Sequence, residues 1–461
     1  MKKILLSLVT VAFLMSCNDA PKQKEAVSAT KTELAPISDE VLETATIYEA
    51  NIRQYSEEGT FNAFTQDIPK LKEMGIDIIW VMPIYPISST KSKGSLGSYY
   101  AITDYTKVNP EFGTLEDFQN LVKTAHDNGM YVVLDWVANH TGWDHVWIKE
   151  HPDYYTQDKD GNIVDPLNPE TGETWGWTDV ADLNYDNPKM REEMTADMLY
   201  WVKEEHVDGF RCDVASNVPT DFWSTAIPKL RAEKPIFMLA EAWQPELIEA
   251  GFDMLYNWDG HHAMNHIAQG EADVTAWDKR MQQIDSMYSD ETILMNFITN
   301  HDENSWSGTV FERLGDAAET FAALEYLTPG MPLIYSGQEY DMNKRLLFFE
   351  KDTIIKKKGK FYPIYEKLNA LKAKHAALNG GKQAASYERL STSDDNKILA
   401  FKRAKDGDEV IYIANLTDQP LKASVELNGT FTDYMTGESV EFQKDRAFAF
   451  GPWQYYILVK E

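Results

Sequence analysis

The sequence predicts an α/β fold: a (β/α)8 TIM barrel with a small inserted subdomain after strand 3 and a C-terminal antiparallel β-sandwich. From Thr46 onward, short apolar runs alternate with amphipathic helical patterns, which is typical of βαβ units and a parallel sheet. Eight strand candidates with intervening helices fit a closed barrel better than an open sheet. No Gly-rich phosphate loop follows the first strand, although an open doubly wound sheet would usually carry one.

The barrel elements follow from hydrophobic periodicity. The predicted strands are short apolar runs, at residues 46–53, 76–82, 130–135, 207–213, 236–241, 252–256, 292–299 and 331–336. Between them, apolar residues recur with helical spacing, most clearly at 61–74, 114–128, 188–205 and 220–233. Together these elements assign residues 46–379 to the barrel.

Two segments depart from this alternation. About 45 residues separate the third predicted strand from the next helix, whereas a βα loop usually has about two to six. We therefore assign residues 139–186, which contain several tryptophans, to an inserted subdomain or lid. After about residue 380 the helical period ends, and alternating apolar residues predict a β-sandwich over 380–461.

The first residues have the features of a secretion signal. Two lysines precede an apolar run that is too short to span a bilayer. At 14–17 this run resembles the bacterial lipobox, whose cysteine, here Cys17, is lipidated and becomes the mature N-terminus. An ordinary signal peptide with an incidental cysteine is the alternative. We predict a lipoprotein signal peptide at 1–17, a flexible polar linker at 18–45, and a lipid anchor in the outer membrane, on its periplasmic or cell-surface face.

The composition excludes some partners. The formal net charge is −29, and an acidic surface repels a phosphate backbone, so we expect no nucleic-acid partner. With 43% hydrophobic residues, the chain can bury a substantial core. Only one cysteine besides Cys17 is present, Cys212, so no internal disulfide is expected. We expect a monomer.

Acidic side chains follow several predicted barrel strands at the point where each strand ends. They are Asp135, Asp213, Glu241 and, after Asn300 and His301, Asp302. In a parallel barrel the C-terminal strand ends converge on one face, where active sites lie. One acid after a strand is usually a helix cap. Acids on four strands, accompanied by Arg, Asn and His, indicate one shared pocket instead.

Clustered carboxylates suit glycoside hydrolysis, which requires one protonated acid and one ionised carboxylate. The strand period of two places Arg211 and Asp213 on the same side, so the guanidinium would hold Asp213 ionised, as a nucleophile requires. Glu241 follows an apolar run and precedes Ala242 and Trp243. Burial beside an indole, with like charges nearby, would keep Glu241 protonated, as a general acid requires.

Four segments carry a family resemblance. Residues 135–140, 209–213, 240–243 and 300–302 read Asp-Trp-Val-Ala-Asn-His, Gly-Phe-Arg-Cys-Asp, Ala-Glu-Ala-Trp and Asn-His-Asp. In this order they resemble the four signature regions of the α-amylase family of glycoside hydrolases. The resemblance covers nearly the whole mature chain. As a set the four segments are highly specific, although each alone would be weak.

The resemblance implies a retaining enzyme that cleaves α-1,4-glucosidic bonds in starch-like α-glucans or maltooligosaccharides through a covalent glycosyl-enzyme. Asp213 would be the nucleophile and Glu241 the acid/base. Asp302 would bind sugar hydroxyls and help to distort the ring at the cleaved bond.

The resemblance also implies further contacts with substrate. Arg211, His140 and His301 would contact the same sugar unit. Asp135 would support the site, and Tyr99 would stack on the sugar. For Tyr99, packing inside the barrel is the alternative.

A calcium ion joins the insertion to the barrel in many relatives. The resemblance implies Asn139 and Asp182 as ligands, with a backbone carbonyl near Ser216 and Asn217. Hard oxygen ligands of this kind suit calcium. The residue that bears the carbonyl is often His in relatives, but a backbone carbonyl survives that change.

Other activities remain open on the same residues. A cyclodextrin- or pullulan-degrading enzyme, an α-glucosidase or a transglycosylase would differ in its loops rather than in its catalytic residues. The short insertion predicts a relatively open cleft, which favours attack within a long chain. A non-enzyme alternative is a glucan-binding lipoprotein. Such a binder would be expected to have lost Asp213, Glu241 or Asp302, and all three are present.

Overall fold

The computed structural model describes residues 34–460. Cys17, the predicted signal peptide and most of the predicted linker lie outside these residues. Within residues 34–460, no helix combines the length and the apolar character that crossing a membrane requires.

The end of the predicted linker is folded. Helix α1 (Asp39–Thr44) begins at Ser38, whose side chain accepts a hydrogen bond from the Val41 N–H. Leu42 is buried together with residues of the barrel interior. The prediction of a flexible linker up to residue 45 is therefore wrong for this segment, because a few apolar residues among many polar ones suffice to dock it.

Eight parallel strands close the barrel, and all eight predicted strands are confirmed. The strands as far as the insertion are β1 (Ile47–Ala50), β2 (Ile78–Val81), β3 (Tyr131–Trp136), β4 (His140–Gly142) and β5 (Val180–Asp182). The following strands are β6 (Gly209–Cys212), β7 (Phe237–Ala240), β8 (Met254–Tyr256), β9 (Ile293–Asn296) and β10 (Met331–Tyr335). Around the barrel the order is β1-β10-β9-β8-β7-β6-β3-β2, while β4 and β5 pair with each other in the insertion.

The barrel interior is a packed core rather than a pore. Successive side chains of a strand point to opposite faces. Trp80 and Val133, which pair between β2 and β3, therefore belong to the interior cluster with Leu239 of β7. Their neighbours Ile79 and Val132 belong to the outer cluster, against the helices. Burial on both faces explains why these strands read as continuous apolar runs.

Helices cover the outside of the barrel. After α1, the helices as far as β7 are α2 (Ile52–Tyr55), α3 (Phe61–Thr65), α4 (Ile68–Met74), α5 (Leu115–Asp127), α7 (Pro188–Lys203) and α8 (Thr220–Glu233), while α6 (Val146–Glu150) belongs to the insertion. The remaining helices are α9 (Glu246–Glu249), α10 (Trp258–Ala268), α11 (Val274–Met287), α12 (Val310–Leu314), α13 (Ala318–Leu327) and α14 (Phe361–Lys374). The single helix predicted at 61–74 is in fact α3 and α4, since Pro69 can occupy only the first turn of a helix.

The C-terminal domain consists of two antiparallel sheets. Its strands are β11 (Ser386–Arg389), β12 (Ile398–Lys405), β13 (Asp408–Asn415), β14 (Leu421–Ala423), β15 (Gly429–Asp433), β16 (Ser439–Phe442), β17 (Phe448–Phe450) and β18 (Tyr455–Val459). Six strands form one sheet in the order β11-β12-β13-β18-β15-β16, and β14 pairs with β17. Ile411, Phe431 and Phe450 share the buried cluster between them. The predicted antiparallel β-domain is confirmed.

Arg403 of β12 joins the C-terminal domain to the barrel. Its buried guanidinium donates to the carbonyl oxygens of Leu327, at the end of α13, of Asn379 and of Ala385, at 2.8, 2.9 and 3.2 Å. The Tyr412 hydroxyl of β13 also donates to the Thr320 carbonyl of α13, at 2.9 Å. The two domains therefore share a buried, hydrogen-bonded interface.

Candidate active site

The predicted acids meet at the C-terminal end of the barrel. Asp213 directly follows β6, Glu241 directly follows β7, and Asp302 lies a few residues beyond β9. These three residues line one cavity of about 290 Å³, together with His140 and His301. The structure thus brings together side chains that are far apart in sequence.

The beginning of β6 requires glycine. Gly209 has a φ of 153°, and a Cβ atom at this position would lie 1.8 Å from the Phe237 carbonyl oxygen. Glycine therefore permits the close pairing of β6 with β7, in which Arg211 lies opposite Leu239. This register places Asp213, which follows β6, close to Glu241, which follows β7.

Arg211 is the electrostatic centre of the site. Its side chain is fully buried, and its Nη1 atom donates to Oδ1 of Asp135 and Oδ1 of Asp213, at 2.9 and 3.0 Å. Its Nη2 atom lies 2.9 Å from Oε2 of Glu241. Three carboxylates compensate the buried guanidinium, which would be costly to bury alone.

Asp135 holds the Arg211 guanidinium in place by hydrogen bonds. Besides the guanidinium, Oδ2 of Asp135 accepts hydrogen bonds from Trp80 Nε1 and the Tyr100 hydroxyl, both at 3.1 Å. Its side chain is fully buried, and neither Asp135 nor Arg211 lines the cavity. These two residues therefore hold the acids in place, and the contact of Arg211 with substrate stays a prediction.

The pKa of Asp213 is shifted in the opposite direction from the expectation. Burial and the neighbouring Glu241 carboxylate raise the pKa of Asp213 well above its usual value, and Arg211 only partly opposes them. The guanidinium does not dominate, because Asp135 and Glu241 share it. Carboxylates this close lose their protons in coupled steps. The substrate-free cluster therefore retains a proton more strongly than separate carboxyl groups would.

Glu241 is held by the backbone that follows the nucleophile. Its Oε2 atom accepts a hydrogen bond from the Val214 N–H at 2.8 Å. Val214 has φ 36° and ψ 47°, a left-handed conformation that is strained for a β-branched residue. The indole of Trp243, which we expected to bury Glu241, is 51% exposed. The setting of Glu241 therefore comes from Arg211 and the Val214 amide.

Asp302 lies at the mouth of the cavity. Its side chain is 37% exposed, and Oδ1 accepts a hydrogen bond from Trp306 Nε1 at 3.2 Å. Residues Glu303–Ser307 form a π-helical turn, a feature that is frequent at functional sites. This turn places the half-exposed Trp306 ring next to the carboxylate, where a sugar can stack.

The surroundings of His301 favour its charged form. Its Nδ1 atom lies 2.5 Å from Oε1 of Glu49, and its Nε2 atom lies 2.8 Å from the Tyr100 hydroxyl and 3.4 Å from Oδ2 of Asp302. Burial lowers the pKa of His301, but the charges of Asp302 and Glu49 outweigh that effect and raise it to about 9. The sequence singled out His301, but it did not reveal Glu49, which lies within β1.

Replacing Glu49 by Gln should shift the alkaline limb of the pH profile. A cationic imidazole donates from both nitrogens, whereas a neutral ring donates from only one. Loss of the Glu49 charge lowers the pKa of His301 from about 9. We therefore expect the alkaline limb of kcat/KM to move down by roughly one pH unit or more. Glu312→Gln, on an exposed residue, is the control, and identical limbs in both variants would contradict the assignment.

The assignment of Tyr99 to the sugar is wrong. Tyr99 is buried, and the Arg53 guanidinium lies 4.3 Å from its ring centroid. Tyr100 lines the cavity instead and stacks on His301 with ring centroids 5.6 Å apart. The two adjacent tyrosines of this turn face different surroundings, and a repeated Tyr gives the sequence no basis for choosing between them.

His140 lines the cavity as a neutral side chain. Burial lowers its pKa to about 4. Its ring lies edge-on to Trp177 of the insertion, with centroids 5.9 Å apart. A neutral imidazole can offer a sugar hydroxyl one donor and one acceptor.

The two predicted calcium ligands lie on neighbouring, paired stretches of backbone. Asn139 directly precedes β4, and its carbonyl accepts a hydrogen bond from the Leu183 N–H, next to Asp182 of β5, at 3.2 Å. Burial raises the pKa of Asp182 to about 6. Within residues 34–460, no group of three or more His, Cys, Asp or Glu side chains is arranged to hold a metal ion. Any calcium shell here would need backbone carbonyls and water as well.

Loop residues complete the cavity, and the sequence did not assign them to it. They are Lys93, Trp177, Asp179, Phe348 and Phe349. The tryptophans of the insertion and the paired phenylalanines after the eighth strand were visible as aromatic clusters in loops. Nothing in the sequence indicated that Lys93 and Asp179 form an ion pair.

Comparisons with known proteins agree with this geometry. Residues 43–409 match the family described as the alpha amylase catalytic domain, and residues 387–457 match the maltogenic amylase C-terminal domain. "Alpha-amylase 3" of Dictyoglomus thermophilum is 27% identical over 440 residues, which span 81% of this chain and 84% of that protein.

Two solved structures share the whole architecture. The noncanonic maltogenic alpha-amylase AmyB from Thermotoga neapolitana superposes with a TM-score of 0.82 at 29% identity, covering 90% of this chain and 98% of that one. An alpha-amylase from Lactobacillus plantarum gives a TM-score of 0.81 at 30% identity, covering 91% and 99%. A family match over most of the chain, together with the barrel and its acid cluster, leads to one conclusion: the chain belongs to the alpha-amylase family and is a glycosidase.

Proposed function

We propose that this enzyme hydrolyses α-1,4-glucosidic bonds in starch-like α-glucans or maltooligosaccharides, with retention of anomeric configuration. The observation that carries the proposal is the Arg211 guanidinium, which contacts both Asp213 and Glu241. Retaining enzymes need their two carboxyl groups about 5–5.5 Å apart, whereas inverting enzymes leave room for water between them. Because Asp213 and Glu241 contact the same guanidinium, their carboxyl groups are held near each other, which favours the shorter separation.

The reaction proceeds in two steps. Asp213 attacks the anomeric carbon while Glu241 gives its proton to the leaving oxygen, so that a covalent glycosyl-enzyme forms. Water then attacks that carbon, Glu241 takes the proton from the water, and Asp213 leaves as a carboxylate. His301 and Asp302 line the same cavity and would bind hydroxyls of the same sugar.

The anomer of the first product tests this proposal. Proton NMR of a fresh digest of maltoheptaose should show the α-anomer before mutarotation. An initial β-anomer would indicate inversion, and no release of reducing sugar from starch or maltoheptaose would contradict the hydrolase. The Glu241→Gln variant, purified in the same way, controls for contaminating amylase.

Maltose-releasing activity is the second candidate. The match of residues 387–457 to the maltogenic amylase C-terminal domain favours it. A product profile across amylose, pullulan, cyclodextrins and maltotriose distinguishes the two, since a maltose-releasing enzyme gives maltose as its first product.

We also propose that calcium joins the insertion to the barrel. Asn139 and Asp182 offer the hard oxygen donors that calcium prefers. Asp182 is buried, and the cation would compensate its carboxylate. The ion would hold the insertion in place rather than take part in bond cleavage.

Calcium should therefore raise the melting temperature. We expect the wild type to melt about 2–5 °C higher with calcium than with EDTA, since a ligand that binds only the folded state stabilises it. Asp182→Asn should lose this difference because a carboxylate ligand is gone. Asp186→Asn, on a neighbouring exposed acid, should keep it. Equal melting of the wild type under both conditions would contradict the site.

We propose finally that Cys17 is lipidated and anchors the enzyme in the cell envelope, at the outer membrane. The lipobox-like residues 14–17 support this proposal. Incorporation of a labelled fatty acid into the wild type, and none into Cys17→Ser, is the expected result.

A further inference from the structure

Three loops are joined along one side of the cavity. They follow β2 (residues 82–114), β3 (137–187) and β10 (336–360). Around the barrel β10, β1, β2 and β3 are consecutive, whereas Asp213 and Glu241 follow β6 and β7 on another part of the ring. We call residues 88–97, 143–144, 179 and 347–350 together the loop wall.

The loop after β2 is bound to the insertion. The Asp144 carboxylate accepts hydrogen bonds from the N–H groups of Ser89 and Thr90, both at 2.8 Å. Lys91 Nζ lies 3.2 Å from the centroid of the Trp143 ring. These contacts tie the first half of the loop to the start of the inserted subdomain.

Further along, Lys93 and Asp179 form a second connection between the loop after β2 and the insertion. The Lys93 Nζ atom lies 2.7 Å from Oδ1 of Asp179, whose side chain is only 7% exposed. Both residues line the active-site cavity. A partly buried ion pair holds its geometry better than an exposed one, which usually contributes little.

The same loop is bound on its other side to the loop after β10. The Leu96 N–H donates to the Phe349 carbonyl at 3.0 Å, and the Ser95 N–H donates to Oε1 of Glu350 at 2.9 Å. Arg53 Nη1 donates to the Gly97 carbonyl at 3.1 Å. The loop wall is therefore continuous from the insertion to the loop after β10.

The wall limits the room for substrate. Lys93, Asp179, Phe348 and Phe349 line the same cavity of about 290 Å³ as the catalytic acids. This volume is at the lower end of the range of roughly 300–1,000 Å³ for small-molecule sites. The part of the site next to the catalytic acids is therefore small, and the wall forms one of its sides.

The direction of the substrate follows from the acids. Glu241 protonates the leaving oxygen, so the leaving part of the chain extends on the side of β7. On the ring β6 lies between β7 and β3, so the sugar retained on Asp213 would extend toward the loop after β3, which belongs to the wall. Resting on the proposed function, we infer that the loop wall, closed by Lys93 and Asp179, ends the cleft beyond the retained sugars. The enzyme therefore removes short units from the non-reducing end of α-glucans.

A cleft that ends at the loop wall is the opposite of the open cleft that the short insertion predicts. The insertion is short, as expected, but its contacts with the loop after β2 join the two loops into one side of the cavity. Insertion length alone did not reveal those contacts.

A substrate with a blocked non-reducing end tests the inference. Maltoheptaose is compared with the same oligosaccharide carrying an ethylidene group on its terminal sugar, and products are separated by chromatography. A closed cleft cannot accommodate the blocked end, so we expect kcat/KM on the blocked substrate to be lower by about tenfold or more. The unblocked substrate should give one short product from the earliest times.

Variants then locate the effect in the wall. Lys93→Ala, and more strongly Lys91→Ala with Lys93→Ala, should raise the ratio of blocked to unblocked activity several-fold and lengthen the first products. Lys107→Ala is the matched control, because Lys107 is an exposed lysine of the same loop, paired with Asp104 at 2.6 Å. Its ratio should equal that of the wild type.

The outcomes separate the two proposals. Equal wild-type rates on both substrates, or a mixture of long products from the beginning, would overturn the closed cleft while the hydrolase stands. The wild type and both lysine variants could all discriminate equally against the blocked substrate. That result would overturn the role of Lys93 and Asp179. No hydrolysis of any α-glucan would overturn the proposed function, and this inference with it.

Discussion

Replacing Asp213 by Asn should reduce kcat by roughly 10⁴-fold or more, as removal of a nucleophile does in other enzymes. The amide is nearly isosteric with the carboxylate but cannot form the glycosyl-enzyme. The loss should be as large on α-maltosyl fluoride as on starch, because both need the nucleophile. Rates are measured by reducing sugar and by fluoride release.

The same substitution should leave the fold intact or stabilise it. Burial and Glu241 raise the pKa of Asp213 in the folded chain, so above the usual range of an aspartate the ionised group opposes folding. A neutral amide removes that cost at neutral pH, while Arg211 keeps Asp135 and Glu241 as partners. We expect a melting temperature at pH 7 equal to or above that of the wild type. A melting temperature several degrees lower would mean that the lost activity reports unfolding.

Replacing Glu241 by Gln should have the second largest effect, with a different dependence on substrate. Proton donation by a positioned acid contributes about 10²–10⁴-fold, so kcat on starch or maltoheptaose should fall by that order. Fluoride leaves without a proton, so formation of the glycosyl-enzyme from α-maltosyl fluoride should be much less impaired. A burst of fluoride in stopped-flow measurements would show this first step separately from the slow hydrolysis that follows.

The contrast between the two variants is the decisive control. Asp213→Asn should give no fluoride burst, while Glu241→Gln should give one. Equal impairment of both variants on the fluoride would contradict the division of roles between nucleophile and acid. A fully active Glu241→Gln variant on starch would remove Glu241 from the chemistry.

Most of the barrel was predictable because its strands are buried on both faces. Runs such as residues 131–134 and 237–240 are apolar without interruption, and their spacing leaves room for one helix after another. Elements that depend on one or two residues were not predictable. Leu42 docks α1 although its surroundings are polar, and Pro69 divides a continuous helical pattern.

The acids of the site were predictable because strand ends of a barrel converge. The residues that contact these acids and His301 were harder to predict. Glu49 reads as part of an apolar strand, but its carboxylate faces His301. Val214 reads as an ordinary branched residue, and only its backbone conformation directs the N–H toward Glu241. Loop contacts such as Lys93 with Asp179 join segments whose relative position no local pattern encodes.

The Arg403 contacts bear on how such enzymes can be recombined. The two family matches overlap over residues 387–409, which include β12 and the start of β13. A chimera joined anywhere in this overlap would cut the β12–β13 hairpin or separate Arg403 from the Leu327 carbonyl. An exchange of C-terminal domains must therefore transfer the end of α13 together with the sheet that binds it.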